Sequence, residues 1–77
     1  MFYGVFTEDG LDQVCDTMAQ AEQERRDLKA MGCEVWIAQA EDEQNLAAIG
    51  DYIREGKSAA WIKRRVVTSG ASVGFPG

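Results

Sequence analysis

The sequence predicts an α/β fold in which strands and helices alternate in the order β-α-β-α-β. Segments rich in aromatic and β-branched residues alternate with segments whose apolar residues recur every three or four positions. The chain of 77 residues is long enough for one domain only. Because each strand-helix-strand connection would be a crossover, we expect a small three-stranded, largely parallel sheet packed by two helices.

The first strand is predicted in the aromatic segment FYGVF, residues 2–6. Both of its alternating sides carry apolar groups, which favours a strand covered on both faces. A helix over residues 10–31 is predicted next, because apolar residues at helical spacing follow and the acidic turn suits a helix N-terminus. Thr7 or Asp9 is its candidate N-cap, and Gly32 stands where a left-handed C-terminal cap is expected.

The second strand and second helix follow in the same way. Residues 33–38, CEVWIA, have the composition of a strand. An acidic segment then leads into an apolar stripe at helical spacing, which predicts a helix near residues 42–55. Gly56 is its expected stop.

The segment over residues 58–67 stays open between a strand and a helix. Residues 66–68, VVT, favour a strand that would complete the sheet. As a helix, the segment would be capped by Ser58, and the order would become β-α-β-α with a short C-terminal helix. We expect one domain over residues 1–68 and a mobile, glycine-rich tail over residues 69–77.

The apolar stripes of the two helices must pack against the sheet for the fold to exist. The residues expected in this core are Leu11, Val14, Met18, Leu28 and Ile49.

The net charge of −5 is distributed unevenly along the chain. Residues 1–56 hold all 13 acidic residues and four basic ones, a net charge of −9. Residues 57–77 hold the other four basic residues and no acidic one, a net charge of +4. This asymmetry fits two interpretations: a soluble chain whose basic strand or helix end is solvated, or a polarised molecule that docks a partner by charge complementarity.

The residue types present predict a protein that is not an enzyme. Histidine is absent, which removes the commonest general base and metal ligand, and no glycine-rich phosphate-binding motif occurs. Cys15 and Cys33 are too few for a zinc site or a disulfide framework. We therefore expect no catalytic residue, no metal and no cofactor, with both thiols free in a reducing cytoplasm.

The sequence also lacks the features of a membrane or exported protein. Its apolar runs fall well short of the ~20 residues that span a bilayer. Its N-terminus has no basic segment followed by a long apolar one. We expect a cytoplasmic location and no membrane partner.

Together these features predict a small acidic interaction protein that docks a macromolecular partner, most simply a protein, and modulates or blocks it. The candidate partner-binding residues combine surplus aromatic groups with the basic segment: Trp36, Trp61, Lys63, Arg64 and Arg65. Two helices cover only one face of a small sheet well. We therefore also expect a homodimer formed through the open face.

A nucleic-acid-binding module is the alternative function. The basic segment Lys57–Arg65 would contact phosphates while Trp61 stacks on a base. The acidic charge of residues 1–56 opposes this alternative, because it repels phosphate.

Overall fold

The computed structural model describes residues 1–67 and 72–74. Its elements, in chain order, are β1 (Phe2–Thr7), β2 (Gly10–Cys15), α1 (Met18–Ala30), β3 (Trp36–Ala40), α2 (Glu43–Arg54), α3 (Ala59–Val67) and β4 (Ser72–Gly74). In this part of the chain the strands form one four-stranded sheet in the order β2-β1-β3-β4, and every neighbouring pair is antiparallel. The predicted three-stranded, largely parallel sheet in β-α-β-α-β order is therefore wrong.

The main difference lies at the start of the predicted first helix, where the chain forms a hairpin instead. Glu8 and Asp9 join β1 to β2, and Thr7 pairs with Gly10 across the turn. The Thr7 hydroxyl accepts a hydrogen bond from the Asp9 backbone N–H at 3.2 Å. Gly10 has a φ of 108°, which glycine adopts without steric cost. Asp-Gly between two apolar segments is typical of a hairpin turn, so TEDG turns the chain rather than capping a helix.

A bulge in β2 produces the apolar spacing of a helix within a strand. The pairing register between β1 and β2 shifts after Val5, and Asp12 is the residue left without an opposite partner. Because of this extra residue, Leu11 and Val14 lie on the same face and pack against the same buried cluster, although they are three positions apart. That spacing predicts the helix over residues 10–31, whereas α1 begins only at Met18.

Helices cover both faces of the sheet, and each face has its own buried cluster. The α2 cluster, on the side of α2 and α3, consists of Phe6, Ala38, Ala40, Leu46, Ile49 and Ile62. The α1 cluster, on the side of α1, consists of Val5, Cys15, Ala21, Val35 and Ile37. The central strand β1 contributes to both clusters because its successive side chains alternate between faces. The predicted two-sided cover of the first strand is confirmed.

This arrangement removes the open sheet face on which the homodimer expectation depends. Within the described residues, α1 packs on one face and α2 on the other. Residues 1–67 contain three helices where the main prediction has two, because the segment after Gly56 is helical. The oligomeric state itself stays a prediction, now without a bare sheet face to support it.

The expected core residues have different outcomes. Ile49 is buried, with 1% of its surface exposed. Leu11 and Val14 are half-buried against the α2 cluster, and Leu28 is half-buried against the α1 cluster. Met18 is 45% exposed, so its prediction as a core residue is wrong. It is the first residue of α1 rather than the middle of a longer helix.

Two of the predicted helix ends are confirmed. Gly32 and Gly56, which follow α1 and α2, both have positive φ, of 91° and 80°. Helix α2 lies within one residue of the predicted 42–55 at each end, and the Asp42 carboxylate caps it by accepting from the backbone of the second helical residue at 2.8 Å. Helix α1 is capped by Thr17, so neither Thr7 nor Asp9 caps a helix.

The C-terminal segment adopts the helical alternative. The Ser58 side chain accepts from the Trp61 backbone N–H at 3.1 Å, and Ile62 is buried. Within residues 69–77, Ser72–Gly74 form β4 beside β3. Residues 68–71 and 75–77 lie outside the described part of the chain, so the mobile tail and the boundary at residue 68 stay predictions.

Helix α2 approaches β2 closely where two glycines meet. A Cβ atom on Gly50 would lie 3.0 Å from the backbone nitrogen of Leu11. A Cβ atom on Gly10 would lie 3.1 Å from the carbonyl oxygen of Gly50. Backbone atoms cannot swing aside as a flexible side chain can, so larger residues at either position would push α2 and β2 apart.

We predict that Gly10→Ala is more destabilising than Gly32→Ala. Both positions have positive φ, which costs an L-residue about 1–2 kcal/mol. Only at Gly10 would the new methyl group meet other atoms, since a Cβ on Gly32 has no atom within 4 Å. The extra crowding should lower the free energy of unfolding by a further 1–3 kcal/mol or so, measured by urea titration. Equal losses in the two variants would show that the α2–β2 contact tolerates a methyl group.

We predict that Ile49→Ala lowers the melting temperature more than Leu28→Ala, and that Arg64→Ala barely changes it. Truncating a fully buried isoleucine costs about 2–5 kcal/mol, while Leu28 is only half-buried and loses less contact. A domain this small has only about 5 kcal/mol of stability in total, so Ile49→Ala should be largely unfolded at 37 °C. Thermal melts followed by circular dichroism test this order. A larger loss for Arg64→Ala would mean that α3 is held by its charged side chain.

Candidate functional site

The connection between α2 and α3 places two aromatic side chains beside each other. At the end of α2, Gly56 donates its backbone N–H to the Ile53 carbonyl, and Lys57 donates to the Tyr52 carbonyl, both at 3.0 Å. This pair of bonds reverses the chain around the left-handed glycine. Ser58 caps α3 directly after this connection. Trp61 therefore lies in the first turn of α3, close to Tyr52, whose carbonyl accepts the hydrogen bond from Lys57.

Tyr52 and Trp61 form an edge-to-face pair. Their ring centroids are 4.9 Å apart and their planes are inclined by 78°. The Lys57 ammonium lies 5.0 Å from the centroid of the Trp61 ring, within the range of a cation–π interaction. Both aromatic side chains are half-buried: one part of each packs against the α2 cluster, and the rest is open to solvent.

Exposed basic residues of α3 border this pair: Arg64 and Arg65 follow Trp61 by three and four positions and lie on its side of the helix, whereas Lys63 projects away from it. Lys63, Arg64 and Arg65 are all exposed, while Ile62 is buried beneath them. Successive residues of an α-helix are rotated by about 100°, so Arg64 projects opposite Ile62, and Lys63 and Arg65 occupy the flanks. We call the set formed by Tyr52, Lys57, Trp61, Lys63, Arg64 and Arg65 the α3 surface.

The structure brings most of the predicted partner-binding residues together, with one exception. Trp61 and its three basic neighbours share α3. Trp36 is the first residue of β3, where it pairs with Phe6 and is half-buried against the α2 cluster. Trp36 therefore packs against the same buried cluster as Tyr52 and Trp61, but it is not part of the α3 surface.

Tyr52 is the member of this surface that belongs neither to the predicted partner-binding residues nor to the segment Lys57–Arg65 of the nucleic-acid alternative. Its position in the sequence does not indicate a surface role, because a tyrosine near the end of an apolar helix stripe is typical of the core. What makes it part of the surface is the turn at Gly56, which folds α3 back against the last turn of α2.

Charge is separated across the sheet. The exposed acidic residues of the hairpin and the β2 edge are Glu8, Asp9, Asp12 and Asp16, and no basic residue occurs before Arg25. Helix α3 packs against α2 and against β4, which is the opposite edge strand. The acidic hairpin and the basic helix therefore lie at opposite edges of the sheet, and a second exposed acidic group, residues 41–43, follows the end of β3.

The described residues contain no constellation suited to metal binding or to thiol chemistry. No group of three or more acidic, cysteine or histidine side chains within them could hold a metal ion. Cys15 and Cys33 are free thiols. Burial raises the pKa of the Cys15 thiol, and the negative charges of Glu24 and Asp16 raise it further, so this thiol is neutral at pH 7. Of the helices in residues 1–67, none has the length and apolar character needed to cross a membrane.

Comparisons of the chain with protein family models, with curated proteins and with solved structures gave no match.

We predict that Cys15 reacts much more slowly than Cys33 with a thiol reagent at pH 8. Cys15 is 3% exposed and its raised pKa leaves little thiolate, while Cys33 is partly accessible. The variants Cys33→Ser and Cys15→Ala each leave one thiol, and the absorbance of the released chromophore gives the rate. The two rates should become similar in denaturant. Similar rates in the folded state would contradict the burial of Cys15.

Proposed function

We propose that this chain is a non-enzymatic interaction protein that docks a protein partner through the α3 surface and so modulates or blocks it. Tryptophan, tyrosine and arginine are the residues most enriched at the energetic centres of protein interfaces. The α3 surface combines all three on one short helix and the adjoining helix end. The single observation that carries the proposal is the half-buried Tyr52–Trp61 pair bordered by exposed basic side chains.

The aromatic pair supports a docking role because it is already ordered. The Tyr52 ring and the Lys57 ammonium hold the Trp61 ring in place, and both aromatic side chains pack against the α2 cluster. Less side-chain freedom is then lost on binding, and that loss is one of the main costs of association. The basic residues around the pair would form the polar rim that interfaces usually have.

Nucleic acid is a weaker candidate for the same surface. Base stacking needs an accessible ring face, whereas the Trp61 ring already has Lys57 close to one face and Tyr52 in contact with it. The net charge of −9 on residues 1–56 also repels a long polyanion. We therefore propose a protein partner and treat nucleic acid as an outcome that the experiment must separate.

The test is affinity capture from cell lysate with two matched variants. In the first, Lys63→Glu and Arg64→Glu reverse two exposed charges on α3. In the second, Arg26→Glu and Lys29→Glu make the same change in net charge at exposed positions of α1. We expect specific proteins to bind the original chain and the α1 variant but to be depleted about tenfold or more with the α3 variant.

Circular dichroism should show both variants folded, since exposed charges contribute little to stability. Capture should also survive treatment of the lysate with nucleases. Equal capture by the two variants would exclude the α3 surface as the docking site. Capture that disappears after nuclease treatment would favour the nucleic-acid alternative.

A further inference from the structure

We infer that the α3 surface recognises a carboxylate-rich segment of its protein partner, with an apolar side chain of that segment on the Tyr52–Trp61 pair. This inference rests on the proposed function and specifies the chemistry of the partner. It follows from the charge of α3, from the charge of the rest of the molecule, and from the small size of the surface.

The α3 surface is uniformly positive over its own helix. Residues 57–67 contain Lys57, Lys63, Arg64 and Arg65 and no acidic residue. The acidic side chains of the adjoining end of α2 are Asp51 and Glu55; of these, Asp51 is paired with Arg54. A carboxylate that approaches α3 therefore meets several cations, and Arg64 offers it a planar guanidinium capable of two parallel hydrogen bonds.

The opposite edge of the sheet orients this approach. The acidic residues of the β2 edge repel a negatively charged partner, while α3 beside β4 attracts it. Such a separation of charge steers association toward one side of a molecule and disfavours contact through the other. A basic partner would be steered in the reverse sense and would leave the aromatic pair unused.

The size of the surface separates a carboxylate segment from a nucleic acid. Helix α3 has 9 residues and is therefore about 14 Å long. Affinity for a nucleic acid increases with the number of phosphates that basic residues neutralise, and residues 57–67 contain four cations. A strand long enough to make more contacts would run past α3 toward the acidic body. A short segment with a few carboxylates matches both the length and the charge of α3.

The aromatic pair indicates that the segment also carries an apolar residue. Exposed ion pairs alone contribute too little to hold a partner. Burying an apolar side chain against Tyr52 and Trp61 would add affinity in proportion to the apolar area removed from water. Charge would then provide selectivity for the segment, and the aromatic contact would provide much of the affinity.

The inference is tested by NMR titration of the complete, isotope-labelled chain. The probe is a short synthetic peptide in which glutamates flank a single leucine. The control peptide has glutamine in place of every glutamate. At a low salt concentration of about 25 mM, the glutamate peptide should shift the backbone signals of α3 and the indole N–H signal of Trp61. The glutamine peptide should bind at least about tenfold more weakly, and about 300 mM salt should weaken the glutamate peptide similarly.

Matched variants locate the contact. Arg64→Glu should weaken the glutamate peptide severalfold, whereas Arg26→Glu, an equal change at an exposed position of α1, should leave its affinity unchanged. Equal affinity for the two peptides, or no shift with either at millimolar concentration, would overturn the inference. So would tighter binding of a single-stranded oligonucleotide of the same length at the same signals.

A second copy of the chain is the remaining occupant to distinguish. If raising the protein concentration alone shifts the signals of α3 together with those of β2, then the acidic edge of another copy occupies the surface and the inference is wrong. The lysate experiment separates the two proposals. If the α3 variant captures less protein than the α1 variant but the glutamate peptide does not bind, the docking function is retained and the carboxylate segment is refuted. If the two variants capture protein equally, the docking function through α3 is itself refuted.

Discussion

The fold depends on one constraint, which is that the central strand β1 must be buried on both of its faces. Val5 and Phe6 are adjacent in sequence and both have no exposed surface, yet they belong to the α1 and α2 clusters respectively. Alternation along a strand sends such neighbours in opposite directions, so apolar cover is needed on both sides. In a chain of 77 residues this cover requires α1 on one face and α2 with the start of α3 on the other. The outer side of α3 is then available to solvent.

Helices α1 and α2 pack against opposite faces of the sheet in different ways. Helix α2 lies close to β2 because Gly10 and Gly50 remove the side chains that would separate them. Helix α1 is mostly polar and buries only Ala21 completely. Among the described residues, the α2 cluster has six buried residues against five in the α1 cluster, and Tyr52 and Trp61 pack against it. A docking surface whose aromatic residues pack against a buried cluster keeps its geometry before a partner arrives, which lowers the cost of binding.

Charge and fold are connected through the order of the strands. The acidic hairpin forms one edge of the sheet at β2, and the basic helix packs beside the other edge at β4. The bulge at Asp12 and the charges along β2 also protect that edge against pairing with another strand. One edge of the molecule thus resists association, while the proposed docking surface lies at the opposite side.

The sequence by itself determined the local features of this protein: the first strand, the position of α2, the glycine stops at Gly32 and Gly56, and the asymmetry of charge. These depend on neighbouring residues, because caps, turns and periodicity act over a few positions. Tertiary structure decided the hairpin. The bulge at Asp12 places Leu11 and Val14 on one face of β2 three positions apart, which is the spacing expected of a helix. Tertiary structure also decided that residues 59–67 are helical, because burial of Ile62 outweighs the β preference of the two valines that follow. The pairing of Tyr52 with Trp61 could be found only once α3 was placed against α2, because contacts between elements depend on how the whole chain packs.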